Sequence, residues 1–109
     1  MTIADILATV TATLGTVAVY STNGETVECR PVEGKPITDQ GWTFQPPTVA
    51  LTPWRNGVMW TETKTVTDNR GRDRSETSAT FVWDRELLEQ LLDIYAHDLR
   101  VYGWVEDDT

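Results

Sequence analysis

Residues 45–83 form a long stretch of alternating and turn-forming residues, and they place the strongest limit on how this chain can fold. Near its start stand Pro46 and Pro47, which force an extended backbone and exclude a helix directly before them. A short strand is predicted at 48–52, and an Asn-Gly turn then leads into a longer strand at 58–67. The chain reverses at a polar tip and returns as a further strand. We therefore expect a long hairpin whose base packs in the core and whose tip is exposed to solvent.

Amphipathic helices are predicted before and after this stretch. In residues 2–14 apolar side chains recur every three or four positions, Thr2 and Asp5 match a weak capping box, and Gly15 can end the helix. A second helix is predicted at 85–100, where an aspartate precedes a stripe of leucines and tyrosines. The predicted class is α+β: an antiparallel sheet with a long protruding hairpin, flanked by an N-terminal and a C-terminal helix.

A shorter hairpin is predicted between the first helix and the two prolines. Its strands lie at 16–22 and 25–32, and the dipeptide Asn23-Gly24 between them is the strongest short signal for a two-residue hairpin turn. Charged side chains in the second strand favour a solvated position or one at the sheet edge. The following segment, residues 33–45, contains several glycines and prolines and is predicted to be a loop.

Aromatic residues are numerous for a chain of 109 residues, with five tryptophans among them. Those in the predicted loop, Trp42 and Phe44, either pin it to the core, which we favour, or contact a partner. Trp60 and Trp83 lie at the base of the predicted hairpin, where its strands meet the core, so we expect both to be buried. Because tryptophan is enriched in the energetic centres of interfaces, three are candidate contact residues: Trp42, Trp54 and Trp104.

The hairpin tip holds the one local concentration of positive charge in the sequence. Three arginines surround Gly71 and complete the set of predicted interface residues: Arg70, Arg72 and Arg74. On an acidic molecule such a tip can dock on an acidic flank of the next copy, which gives a head-to-tail contact that closes a ring. The equal alternative is a solvated tip whose charges only prevent edge pairing.

The net charge of −8 limits the partners of this chain. A uniformly negative surface repels phosphates, so we expect no general or sequence-specific binding of nucleic acid. The alternative explanation of the charge is solubility or, with less weight, a salt-loving host whose proteins are acidic throughout. No apolar run approaches the roughly 20 residues of a membrane span, and we expect neither membrane contact nor a secretory signal. We predict one domain at residues 1–105 and a disordered acidic tail at 106–109.

Residues suited to catalysis are sparse. The single histidine, His97, lies on the polar side of the second helix, four residues after Asp93. The single cysteine, Cys29, has no disulfide partner and no metal-ligand spacing. Nothing in the sequence supports these two residues as a nucleophile and base, and no phosphate loop, zinc pattern or calcium loop is present. We therefore expect no enzyme, no cofactor and no metal site.

The order of these elements resembles the tail terminator and head–tail neck proteins of long-tailed phages and archaeal tailed viruses. After a first helix, the matching segments are a valine-rich strand, a proline-led strand, an apolar stretch that ends a strand, and a last helix: residues 17–20, 46–51, 81–83 and 85–100. The resemblance spans most of the chain. Such proteins often have a further strand after the last helix, and only residues 100–105 remain here to supply it.

The resemblance implies a homo-oligomeric ring, commonly a hexamer, that caps the tail tube and meets the head connector. Its partners would be further copies of the chain and other virion proteins, in the virion and, during assembly, in the host cytoplasm. A small acidic phage-encoded inhibitor or protein-binding module is the main alternative, and it calls for an ordered row of carboxylates that imitates phosphates. An enzyme is the third, and a pocket that holds both Cys29 and His97 would support it.

Overall fold

A computed structural model describes residues 1–15, 18–32 and 34–105. These residues form two helices and seven strands: α1 (Ile3–Leu14), β1 (Ala18–Thr22), β2 (Val27–Pro31), β3 (Ile37–Asp39), β4 (Trp42–Phe44), β5 (Thr48–Trp54), β6 (Gly57–Thr67), β7 (Asp73–Val82) and α2 (Arg85–Val101). All strand pairs are antiparallel, so the predicted α+β class is confirmed. The predicted acidic tail at 106–109, and residues 16–17 of the first predicted strand, lie outside the described residues.

The longest strand, β6, is the centre of the sheet. One of its edges pairs with β5 from Gly57 to Thr63 and then with β4 at Val66 and Thr67. Outward from β5 lie β2 and β1, and outward from β4 lies β3. The other edge of β6 pairs along ten residues with β7. The predicted long hairpin is therefore β6 and β7, and its tip is residues 68–72.

Both helices pack on one face of the sheet, which we call the helix face. The buried strand side chains of the core come from alternate positions in register with one another: Val27, Cys29, Val49, Leu51, Val58, Trp60 and Val82. The helices add further buried side chains to the same core: Ile6, Val10, Leu14, Leu88, Leu92, Tyr95, Ala96 and Leu99. Each large aliphatic side chain so buried contributes about 1.5–3 kcal/mol. No helix among the described elements covers the opposite face, which we call the open face.

Local signals set the helix ends where the sequence predicts them. The backbone N–H of Asp5 donates to the Thr2 hydroxyl at 3.1 Å, and the backbone N–H of Thr2 donates to the Asp5 carboxylate at 3.0 Å. This capping box fixes the start of α1. Gly15 follows its last residue with a φ of 54°, a backbone that favours glycine. The Asp84 carboxylate caps α2 by accepting the N–H of Leu87 at 2.8 Å.

The first hairpin differs from the prediction in its turn. Thr22 pairs with Val27, so the connection has four residues, 23–26, rather than two. The predicted two-residue turn requires positive φ at both Asn23 and Gly24, but only Gly24 has it, at 91°. Asn23 instead uses its side-chain oxygen to accept the backbone N–H groups two and three residues further on, both at 2.9 Å. A side chain that closes the turn in this way removes the need for a two-residue turn.

Two further predictions about this region are wrong. β2 is not a solvated or edge strand, because it lies between β1 and β5 and buries every second side chain. Residues 33–45 are not only a loop, because they contain the short hairpin of β3 and β4. Its two-residue turn has positive φ at both positions, 51° at Gln40 and 83° at Gly41. Glutamine is not a typical residue for that conformation, so the sequence does not predict the turn.

Candidate protein-interaction site

A groove lies on the helix face of the outer half of the β6–β7 hairpin. Its floor comes from β4, β6 and β7, and one wall is Trp104, which follows α2. The groove has a volume of about 500 Å³ and contains three aromatic rings. We call it the aromatic groove and define it by its ring-bearing and charged residues: Trp42, Phe44, Lys64, Arg74, Glu76 and Trp104.

Backbone geometry at two places brings these rings together. In β4 the alternation of side chains puts Trp42 and Phe44 on the same face of the sheet. After α2, Gly103 takes a φ of 80°, and the N–H of Trp104 donates to the carbonyl of Leu99 at 2.9 Å. Because Gly103 ends α2 in the left-handed conformation, the chain folds back. The Trp104 ring then packs against the core and forms the groove wall.

The groove has the chemistry of a protein-binding surface. Tryptophan and arginine are the residue types most enriched in the energetic centres of interfaces, and Trp42, Trp104 and Arg74 meet here. The Trp104 indole N–H is buried and has no hydrogen-bond partner among the described residues. A buried donor without a partner costs about 1–3 kcal/mol. The rings of the groove suit an apolar side chain of a partner.

Asp68 organises the hairpin tip beside the groove. Only 4% of this residue is exposed. Its carboxylate accepts the backbone N–H groups of Arg70 and Arg72, both at 2.9 Å, and the Arg72 Nε at 3.1 Å. A guanidinium nitrogen of Arg74 lies 3.9 Å away. Asp68 therefore partly balances the charges of Arg72 and Arg74. This partner was not predicted from the sequence, although an aspartate at the start of a turn often binds backbone N–H groups in this way.

Acid is expected to loosen the tip. The hydrogen bond from the Arg72 backbone is the main cause that holds the pKa of Asp68 below its usual value. A carboxyl group with a lower pKa in the folded state contributes stability that is complete above its unfolded pKa, about 3.9, and is lost as the pH falls through the folded value. In an NMR titration the amide signals of Arg70 and Arg72 should therefore move with a midpoint below about 3.9. Asp68→Asn should abolish this transition, and a midpoint at or above that value would contradict the assignment.

The structure separates the predicted interface residues. Trp42, Trp104 and Arg74 share the aromatic groove, and Arg70 and Arg72 lie at the adjoining tip. Trp54 lies at the other end of the hairpin, at the end of β5, and is 49% exposed. It is therefore not part of the same surface.

The prediction that Trp83 belongs to the core is wrong. Trp83 is 62% exposed, whereas Trp60, predicted in the same way, is 7% exposed. β7 lies at the sheet edge, and Val82 is its one buried side chain. Strand alternation then directs the neighbouring Phe81 away from the helix face, and the chain leaves the sheet before Trp83. An apolar run at the end of an edge strand buries only part of its side chains.

Cys29 and His97 are not brought together. Cys29 faces the core, and burial raises the pKa of its thiol to about 12. The α2 residue that approaches it is Tyr95: burial raises the pKa of Tyr95, and Cys29 adds to that effect. His97 follows Tyr95 by two residues, which turns it about 200° around the helix, and it is exposed. Among the described residues no cluster of His, Cys, Asp or Glu side chains is arranged to hold a metal ion.

An ordered row of carboxylates lies on α2. Glu86, Glu89 and Asp93 are exposed, and their spacing of three and four residues places them on one side of the helix. We call this row the acidic stripe. Along the sequence these carboxylates stand apart among other residues, and they form a row only once the helix brings residues three and four apart together.

Comparisons with protein-family models, with curated proteins and with solved structures find no match to this chain. Neither of the helices described is both long and apolar enough to cross a membrane. A function can therefore be based on three features: the aromatic groove, the acidic stripe, and the arginines at and beside the hairpin tip, Arg70, Arg72 and Arg74, which we call the arginine tip.

Proposed function

We propose that this chain is a structural assembly protein of the neck or tail end of a long-tailed virus, of the tail terminator or head–tail joining type, and that it works by forming a ring of identical copies. One observation carries the proposal: a single molecule bears both an arginine tip on its hairpin and an acidic stripe on α2. Two different, complementary surfaces join copies head to tail, and such a contact closes into a ring when its rotation allows. The order of elements along the chain, which resembles those proteins, supports the viral setting.

The charges of the tip remain available to a neighbour. The side chains of Arg72 and Arg74 are 62% and 64% exposed although both contact Asp68, and Arg70 makes no ion pair with any other described residue. Because the molecule is acidic, most orientations of two copies are repulsive, and a tip facing the acidic stripe is one of the few that brings opposite charges together. Charge therefore selects the orientation of the contact.

Charge alone does not hold such a contact together. Exposed ion pairs contribute only about 0.2–1 kcal/mol each, and a stable interface needs buried apolar surface as well. The aromatic groove adjoins the tip and supplies that surface through Trp42 and Trp104. We expect the groove to be covered when the tip is docked.

A variant that reverses the charge at Arg70 and removes the charge at Arg72 should weaken self-association about tenfold or more, since attraction to the acidic stripe becomes repulsion at the first position and is lost at the second. We would combine Arg70→Glu with Arg72→Gln, which leaves Arg74 in place, and measure mass by light scattering after size exclusion at moderate and high salt. The wild type should form a multimer that salt disrupts. The control pair, Arg55→Glu with Lys35→Gln, carries the same charge change away from the tip and should associate normally.

A compensating variant sharpens this test. Glu89→Lys with Asp93→Lys reverses the acidic stripe without touching the first turn of α2, and alone it should weaken association equally. Combined with the tip variant in one chain, it should restore much of the multimer, because the carboxylate introduced at position 70 then meets the lysines introduced at positions 89 and 93. A multimer that the tip variant leaves unchanged, or a combined variant that stays monomeric, would contradict the proposed contact.

The acidic stripe also supports a second candidate, a small acidic inhibitor that occupies the nucleic-acid site of a nuclease. Its three carboxylates stand in a row, as imitation of phosphates requires. Such a protein would compete with DNA for a purified nuclease, and the stripe variant Glu89→Lys with Asp93→Lys would not. Absence of competition by the wild type would count against this function.

A further inference from the structure

The outer edge of β7 is open. Among the described residues this strand pairs only with β6, so the backbone N–H and C=O groups of every second residue along its other edge have no strand partner. Nine of its ten side chains are exposed. Proteins usually block such an edge with charged side chains, proline, a bulge or a covering helix. Residues Asp73–Val82 contain no proline, glycine or lysine, and their one-to-one register with β6 leaves no room for a bulge. Their charged side chains are of both signs, Asp73, Arg74 and Glu76, so they block a partner only where like charges would face each other.

We propose that two copies of this chain pair through β7, antiparallel about a two-fold axis at Ser75, so that one sheet continues into the other. Ser75 then faces Ser75 of the second copy, and Arg74 faces Glu76 of the second copy on both sides of the axis. The pairing uses the backbone edge of β7, and the ring contact uses Arg70, Arg72 and the acidic stripe. Arg74 and Glu76 border both surfaces, so the two contacts are measured separately, one by cross-linking at β7 and the other by the mass of the multimer.

Charge selects this register among those that the two-fold axis allows. When the two-fold axis is perpendicular to the sheet, the helix faces of both copies lie on the same side of the joined sheet. Facing side chains must then lie on the same side, so at the axis one residue of β7 faces the same residue of the second copy. An axis at Asp73, Arg74 or Glu76 sets that residue against its own copy, and like charges directly opposite are unfavourable. An axis at Ser75 instead forms two Arg74–Glu76 pairs. Axes at later residues set charged side chains only against uncharged ones.

Axes at Thr77 and at Ser78 share the longest overlap, and the Thr77 register is the one that, like Ser75, sets an open-face residue against itself. In that register Arg74 faces Thr80 and Glu76 faces Ser78 of the second copy, so no opposite charges meet. It pairs nearly the whole of β7, whereas the Ser75 register pairs only its outer half. The two registers therefore differ in which residue faces itself, and this difference can be measured.

Cysteine cross-linking distinguishes the registers. Facing residues of antiparallel strands have Cα atoms about 4.5–5.5 Å apart, within the range of about 4.4–6.8 Å that a disulfide spans. The native Cys29 is buried in the core, so Ser75→Cys supplies the accessible thiol. We expect Ser75→Cys to form a disulfide-linked dimer under mild oxidation, and Thr77→Cys and Ala79→Cys, on the same open face, to form little. Preferential cross-linking at Thr77→Cys, equal cross-linking of all three, or none would overturn the proposal.

A mixing experiment tests the charge pairs. Arg74→Glu leaves carboxylates at positions 74 and 76, and Glu76→Arg leaves guanidinium groups at both. Two copies of the same variant therefore set like charges opposite each other. One copy of each, however, forms both opposite-charge pairs again. With Ser75→Cys added to both, mass spectrometry of the oxidised mixture should show mostly the mixed dimer, by about tenfold over either variant's own dimer. Equal amounts of all dimers, or no dimer, would overturn the pairing.

The outcomes also separate this proposal from the proposed function. Loss of the multimer in the tip variant, with the Ser75→Cys cross-link retained, supports both contacts as independent. A Ser75→Cys variant that fails to cross-link but still forms a salt-sensitive multimer overturns the β7 pairing alone. All substituted positions are exposed, and circular dichroism of each variant verifies that the fold is retained.

Discussion

Trp60→Ala is expected to lower the free energy of unfolding by about 3–5 kcal/mol, while Trp83→Ala changes it by less than about 0.5 kcal/mol. Trp60 lies on the helix face of β6, and its ring meets that of Tyr95 edge to face, with centroids 6.3 Å apart. It stands between Leu51 and Thr80 in the sheet. Removal of this indole leaves a cavity under α2 that the surrounding strands cannot close. Trp83 has no such surroundings.

The pair forms its own control, because each variant removes one indole. Unfolding in urea should be followed by far-ultraviolet circular dichroism, since both substitutions alter tryptophan fluorescence directly. The midpoint should fall strongly for Trp60→Ala and remain close to wild type for Trp83→Ala. Equal losses would contradict the position of β7 at the sheet edge.

Gly57→Ala is expected to destabilise the protein by about 3 kcal/mol. A Cβ atom at this position would overlap the carbonyl oxygen of Val82 and lie 3.0 Å from the Phe81 ring. The obstacle is backbone of the neighbouring strand, and Val82 is held there by its register with Val58. The clash can be relieved only by moving the start of β6 away from the end of β7.

Gly71→Ala is the matched control for this substitution. A Cβ atom there meets nothing within 4 Å, and the φ of 80° is the only penalty, of about 1–2 kcal/mol. In urea unfolding Gly57→Ala should therefore lose more stability than Gly71→Ala. The reverse order would contradict the close approach of the two strands at Gly57.

Sequence reasoning succeeded where the signal is local. The ends of α1 follow from Thr2, Asp5 and Gly15, whose side chains or backbone act within a few residues of their own position. The extended segment after Pro47 and the alternation of β6 depend on the conformations that single residues allow. These preferences hold whatever the rest of the chain does, so they can be read before the fold is known.

Sequence reasoning failed where contacts between distant parts of the chain determine the structure. Gln40 accepts a positive φ because β4 finds a partner in the outer half of β6, and nothing near Gln40 shows this. The aromatic groove depends on the same placement, since Trp42 reaches Trp104 only when β4 extends the line of β5 and α2 ends beside it. Trp83 looks like core because its neighbours are apolar, and only the position of β7 in the sheet reveals its exposure.

The packing of α1 has a consequence for the order of folding. α1 contacts α2 more than it contacts any strand, and an ion pair at 3.6 Å joins Asp5 to Arg85. The main neighbour of α1 is therefore a helix that leaves the ribosome much later, after the strands β1 to β7. Until α2 emerges, α1 and the helix face of the sheet stay uncovered, a state in which chains are prone to aggregate. Folding of this sheet and its helices is thus expected to finish only after α2 has left the ribosome, and to be slow because α1 and α2 lie far apart along the chain.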